Sequence, residues 1–254
     1  MREIGIYGLG RFGSFYASQL AGRLAVKAYT RNPERPVPAG VARIGEDELL
    51  ALPVVILCVA ISALPEVLRR IAPRLRPGTL VMDTCSVKTL PSAWMREELP
   101  PGVEILATHP MFGPDSAGEG LSGLPLILCP VRVSGEKLEQ WRGFFSSLGL
   151  KVLIMDPDRH DREAAFTQGL THYLGRVLYE LDLKPSSMAS VGYQRLLQII
   201  EQTCNDSWQL FLDLQQYNPY TKQMRRALDL SLRAIDERLR STPAQEEGLT
   251  PLGG

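Results

Sequence analysis

Short, unbroken apolar runs mark the first part of the chain: EIGIYG (3–8), LAVKAYT (24–30), VVILCV (54–59), TLVMDT (79–84), EILATH (104–109), LPLILC (124–129) and KVLIMD (151–156). Runs without polar alternation suit strands buried on both faces, as in a parallel sheet covered by helices. Between them lie helix-period patterns at Phe12–Arg23, Leu64–Leu75 and Glu136–Leu148. The alternation predicts an α/β fold with an N-terminal Rossmann-type doubly wound sheet over 1–156. After Asp156 the strand signal stops. Residues 157–240 read as an all-helical C-terminal domain, with segments such as EAAFTQGLTHYLGRVLYEL and QMRRALDLSLRAIDERL. In the last of these, Leu228, Leu232, Ile235 and Leu239 form one apolar stripe. A helical domain this small has limited core of its own, so a homodimer through it is expected. The stretch 241–254, STPAQEEGLTPLGG, is polar and rich in Gly and Pro, which predicts a disordered tail.

Composition narrows the partners. Of 254 residues, 28 are Lys or Arg and 28 Asp or Glu. That balance argues against nucleic acid or an anionic membrane as the main partner. Cys58, Cys85, Cys129 and Cys204 are scattered without a Cys-x-x-Cys pair, so neither a metal site nor a disulfide framework is expected. No run reaches the roughly 20 apolar residues of a membrane span, and the chain starts directly on a strand without an export signal. The expectation is a cytoplasmic protein with a small-molecule substrate.

GLGRFG (8–13) matches the dinucleotide fingerprint Gly-x-Gly-x-x-Gly, and its context supports the match: a strand precedes it and a helix follows. Gly8 can make the tight turn, Gly10 admits a pyrophosphate, and Gly13 lets the helix pack closely on the strand. Arg11 and Phe12 lie within the loop. The fingerprint's acidic residue, which bonds a ribose 2′-hydroxyl, belongs near the end of the second strand. There the chain has Thr30-Arg31-Asn32. Without a carboxylate to repel it, a 2′-phosphate can be gripped by Arg31, with Thr30 and Arg11 beside it. NADP is therefore expected over NAD, with a solvated Arg31 and tolerated NAD as the alternative.

Ligands of open α/β sheets bind outside the carboxyl ends of the strands. TLVMDT runs into CSVKTLP, bringing Ser86 just past one strand end; EILATH ends on His109 before a Gly/Pro-rich loop. A histidine there can act as a base near neutral pH, or it can be a core histidine. His160, in DPDRHDRE, reads as a solvated residue at a helix start. His172 lies one turn before Arg176 on the same helix face, a pair able to receive a carboxylate or to serve as structure.

DTCSVK, followed by ATHPMFGPDSAGEGLSGLPLILCP and FTQGLTHYLGR, resembles the prephenate/arogenate dehydrogenases of tyrosine biosynthesis. The similarity is greatest to the short plant and cyanobacterial type, whose preferred substrate is commonly arogenate. The resemblance implies hydride transfer from the ring carbon bearing the 4-hydroxyl to a nicotinamide, with loss of the ring carboxylate as CO2. It assigns the hydroxyl-accepting histidine to His109 and the neighbouring serine to Ser86. It places His172 at the substrate, with Arg176 or Arg195 as the arginine for its carboxylate. Asp115 occupies a position where arogenate-using relatives tend to be acidic, facing the substrate ammonium or capping its own loop.

Three alternatives remain at this level. A prephenate dehydrogenase would use the same residues. A β-hydroxyacid dehydrogenase joins similar domains but relies on a helical-domain lysine, and Lys184 and Lys222 lack a matching motif. A non-catalytic NADP sensor would need neither His109 nor Ser86.

Overall fold

The computed structural model describes residues 3–118 and 120–241. Its centre is one sheet of eight strands: β1 (Glu3–Tyr7), β2 (Ala25–Tyr29), β3 (Val41–Arg43), β4 (Val54–Leu57), β5 (Leu80–Asp83), β6 (Glu104–Pro110), β7 (Pro125–Arg132) and β8 (Lys151–Ile154). Their spatial order is 3-2-1-4-5-6-7-8. The order reverses between β1 and β4, which opens the crevice where doubly wound sheets bind ligands.

The apolar runs do what their composition requires. Along β4 and β5, Val55, Leu57 and Val81 enter one core cluster, while Val54, Ile56, Leu80 and Met82 enter the other. Helices α1 (Arg11–Ala21), α2 (Glu46–Leu50), α3 (Leu64–Ile71), α4 (Thr89–Glu98) and α5 (Gly135–Ser147) accompany the sheet. α1 contributes Tyr16, Ala17 and Leu20 to one cluster; α3 contributes Leu64, Val67, Leu68 and Ile71 to the opposite one.

Two departures from the sequence expectation have physical causes. β7 runs antiparallel to β6, with Ala107 opposite Cys129 and His109 opposite Ile127. The connection between them carries no crossover helix, and only an antiparallel neighbour can be reached that way. β3 is an additional edge strand of 3 residues; half-exposed Val-Ala-Arg offers no apolar run to read.

The helical half begins with α6 (Pro157–Ala164), capped by Asp156, whose side chain accepts the Arg159 N–H at 2.9 Å. A π-helical segment, Ala165–Gly169, joins it to α7 (Leu170–Glu180). α8 (Val191–Cys204), α9 (Trp208–Tyr217) and α10 (Thr221–Ser241) follow. Of the tail expected over 241–254, Ser241 closes α10 and the remainder lies outside the described residues. Among the described residues no helix is long and apolar enough to cross a membrane.

Beneath the strand ends sits a fully buried ion pair, Asp83 with Lys88. The Lys88 ammonium also donates to the Thr108 carbonyl at 2.6 Å. Asp83 accepts the backbone N–H of Thr108 at 3.0 Å and of Cys85 at 3.1 Å. The pair thus fastens the loop after β5 to β6. Removing one partner strands a buried charge, so Lys88→Met is expected to lower stability by about 3–5 kcal/mol in chemical denaturation.

Candidate active site

The glycine loop follows β1 at the sheet's reversal point. Gly8 has φ +106°, a left-handed conformation, and a Cβ there would collide with the Cys58 carbonyl. A Cβ on Gly13 would collide with the Gly8 carbonyl, so α1 can approach β1 only with glycine at that place. Gly10 differs: no atom lies within 4 Å of where its Cβ would be. It is the N-cap of α1, has no side chain to cap the first turn, and that turn has no acidic residue. Free N–H groups beside an open space suit a pyrophosphate, and the loop therefore fits a dinucleotide. Thr30 and Arg31 follow β2; Arg31 is exposed and makes no ion pair among the described residues.

A cleft of about 890 Å³ extends from Gly10 to Gly13 across the strand ends to the helical half. Ser86 and His109 both line it. Ser86 is 6% exposed, and its Oγ has no hydrogen-bond partner among the described residues. His109 is 2% exposed. Burial pushes its imidazole well below the ordinary 6.5, and the charges of His160, Lys88 and His172 act in the same direction. At neutral pH it is a neutral base. The two cysteines on the cleft wall are poor nucleophiles: burial raises the Cys58 thiol to about 12 and Cys85 well above its usual value.

His160 is not solvated, contrary to the sequence expectation. It is 2% exposed, and its Nε2 lies 2.9 Å from His109 Nδ1. Its Nδ1 lies 2.8 Å from Asp161 Oδ1. Asp161, fully buried, also accepts the backbone N–H of Lys88 at 2.7 Å and of Thr89 at 2.8 Å. The spacing did carry a signal: His160 and Ala164 lie four apart, and α6 buries both.

The helical half closes the other side. His172 is 8% exposed, lines the cleft, and its Nδ1 has no partner among the described residues. Burial lowers its pKa, with Arg176 adding and Asp206 opposing. Gln168, on the π-helical segment, also lines the cleft with a buried, unpartnered Oε1. No periodic pattern marks it, because a π turn breaks the 3.6-residue period.

Other expected residues lie elsewhere. Arg176 is not on the cleft wall: it donates to the Asp206 carbonyl at 2.7 Å and to the Thr203 carbonyl at 3.4 Å, with Trp208 and Phe211 under its guanidinium. That is the structural alternative for the pair it forms with His172. Arg195 is exposed on α8, away from the cleft wall. Asp115 does face the cleft, where both its oxygens accept from Arg11 at 2.5 and 2.6 Å. Arg11 reaches Asp206 at 3.0 Å as well. The guanidinium expected to help with a 2′-phosphate is therefore committed to two carboxylates, one from each half of the chain. Phe12, behind it, stacks on Tyr16 with ring centroids 5.3 Å apart.

Comparison with known proteins is consistent across the chain. Residues 34–154 match the family model for the prephenate dehydrogenase nucleotide-binding domain, and residues 177–248 match the TYRAAT1-like C-terminal domain. Arogenate dehydrogenase 2, chloroplastic, of Arabidopsis thaliana is 38% identical over 192 residues, 73% of this chain. The match takes in 54% of that relative's own length, so the chain spans about half of it. Among solved structures, Synechocystis arogenate dehydrogenase aligns with a TM-score of 0.66 at 20% identity, covering 93% of each chain. Prephenate dehydrogenase from A. aeolicus, solved with hydroxyphenyl propionate and NAD+, aligns at 0.74 and 17% identity, covering 94% of this chain and 91% of its own.

The depressed His109 pKa has a stability consequence. The unfolded chain takes up a proton near 6.5 that the folded imidazole resists, so the unfolded state binds more protons below that pH. The contribution is complete above 6.5 and is lost as pH falls below it. Urea unfolding across this window is expected to show stability declining on acidification, less steeply in His109→Asn.

Proposed function

Because the chain belongs to the prephenate/arogenate dehydrogenase family, we propose that it converts L-arogenate to L-tyrosine by NADP-dependent oxidative decarboxylation. One observation carries the reading. Ser86, whose Oγ has no hydrogen-bond partner among the described residues, and the neutral His109 line the same cleft as the uncapped glycine loop. When bound, the nicotinamide supplies the acceptor for the hydride that leaves the carbon bearing the 4-hydroxyl. Gly8, Gly10 and Gly13 would hold its pyrophosphate, and Thr30 with Arg31 the 2′-phosphate.

Ser86 orients the 4-hydroxyl by a hydrogen bond, and His109 takes the hydroxyl proton as the carbon–oxygen bond becomes a carbonyl. The bond to the ring carboxylate then breaks, CO2 departs, and its electron pair passes through the ring to the carbonyl oxygen, which takes the proton back from His109 as the ring becomes aromatic. The halves meet over the cleft, which keeps the proton transfer away from bulk water. His172 sits opposite as a substrate contact. Arg176 and Arg195 lie off the cleft wall, and Arg11, which lines it, is already held by Asp115 and Asp206.

Asp115 and Asp206 share the single charge of Arg11, leaving this end of the cleft net negative. An ammonium is favoured there, and arogenate carries one where prephenate has a keto group. The name of the Arabidopsis relative supports the same choice. Prephenate, giving 4-hydroxyphenylpyruvate, is the second reading, favoured by the Arg11 guanidinium. The assembly we propose is a cytoplasmic homodimer, since Leu232, Ile235 and Leu239 on α10 stand 62%, 57% and 72% exposed.

Turnover followed by nicotinamide absorbance is expected with arogenate and NADP, at a higher kcat/KM than with prephenate; absence of turnover with both substrates would sink the proposal. His109→Asn should lower kcat roughly 10²–10⁴-fold with cofactor binding retained. Arg31→Ala should raise KM for NADP and leave that for NAD nearly unchanged. An equal effect on both would remove the 2′-phosphate role.

A further inference from the structure

Beyond the groups that touch substrate, His109 has a second buried neighbourhood, the His160–Asp161 unit of α6. We infer that Asp161 and His160 are positioning residues that hold His109 protonated on Nδ1, leaving Nε2 bare toward the cleft. The inference rests on the reading of His109 as the base of the proposed reaction.

The chain of hydrogen bonds starts at Asp161. Its carboxylate accepts from Lys88 and Thr89 through their backbone N–H groups, and the third nitrogen against it is His160 Nδ1 at 2.8 Å. Two acceptors at that distance repel, so His160 carries its proton on Nδ1. A neutral His160 then has only a lone pair on Nε2. The 2.9 Å contact with His109 therefore requires His109 Nδ1 to be the donor. By exclusion, the neutral ring of His109 has no proton on Nε2, and among the described residues nothing else bonds to that nitrogen. The opposite arrangement would turn His109 into a donor and remove the base.

The same chain serves the charged state. When Nε2 takes the hydroxyl proton, the Nδ1 proton can pass to His160 Nε2, and the cation then rests against Asp161. No atom is gained or lost beyond that one proton. Lys88, the other nearby cation, is turned away toward Asp83 and the Thr108 carbonyl. Asn218 fixes α6 from beyond, donating to the Asp161 carbonyl at 2.8 Å.

Long-range ¹H–¹⁵N correlation spectra of the full chain test this without turnover. Both His109 and His160 are expected to be protonated on Nδ1; a proton on His109 Nε2 would overturn the inference. In Asp161→Ala no acceptor remains to hold the proton on His160 Nδ1, so the fixed tautomers of both rings should be lost. With that loss kcat should fall about 10²–10⁴-fold at unchanged KM and NADP affinity. A folded variant with wild-type tautomers and kcat would also overturn it. Asp161 secures three N–H groups, so two milder variants guard against loss of fold. His160→Gln keeps an amide oxygen for His109 Nδ1 and should retain kcat within about tenfold, whereas His160→Leu should lose it by the larger factor. Equal losses in the two would count against positioning. If the wild-type tautomers are as stated but neither arogenate nor prephenate turns over, the functional reading fails and the tautomer assignment stands.

Discussion

Asp161 is a carboxylate with no access to water, and much of the site is arranged around satisfying it. A buried charge is tolerated only where hydrogen bonds replace its hydration. Here the donors come from the loop that carries Ser86, from the start of α4, and from His160. α6 is thereby pinned to the strand ends, and with it the helical half that forms the far wall of the cleft. The Asp83–Lys88 pair performs the complementary task below, tying the same loop to β6. Ser86 and His109 lie on segments clamped from two directions by buried charge, which fixes their positions without either side chain being used as an anchor.

That economy of anchoring leaves reactive atoms free. Ser86 Oγ, Gln168 Oε1 and His172 Nδ1 are buried, lack partners among the described residues, and all face one cleft. Buried polar atoms are ordinarily paired, and these three belong to residues on the cleft wall, where a polar ligand could complete them. The glycine loop supplies the same condition for a phosphate, with N–H groups at Gly10 facing open space. Arg11 joins this end of the cleft to both halves through Asp115 and Asp206. It links nucleotide loop, strand-end loop and helical half in one charged contact.

The doubly wound sheet was readable because continuous apolar runs have few ways to be buried other than between two layers of helices. The glycine loop was readable because each glycine answers a local steric demand. Ser86 and His109 were expected from their position at strand ends, and His172 from its helix spacing and the family resemblance; all three line one cleft. Arg176 and Arg195 were placed on the substrate by resemblance, yet one caps the end of α8 and the other faces outward. The antiparallel β7 escaped because an apolar run does not reveal its direction.

His160 shows where local reading ends. In DPDRHDRE it is surrounded by charges, and by sequence alone it belongs to a hydrated helix start. Only the docking of α6 against the start of α4 and the end of β6 turns it inward, where Asp161 dictates its proton and it dictates that of His109. The chain by itself determined seven of the eight strands, the glycine loop and the residue types at the strand ends, since these follow from periodicity and steric need within a few residues. Tertiary structure decided which nitrogen of His109 meets His160 and which arginine lines the cleft. Those depend on contacts between segments tens to hundreds of residues apart, and such contacts leave no period in the sequence.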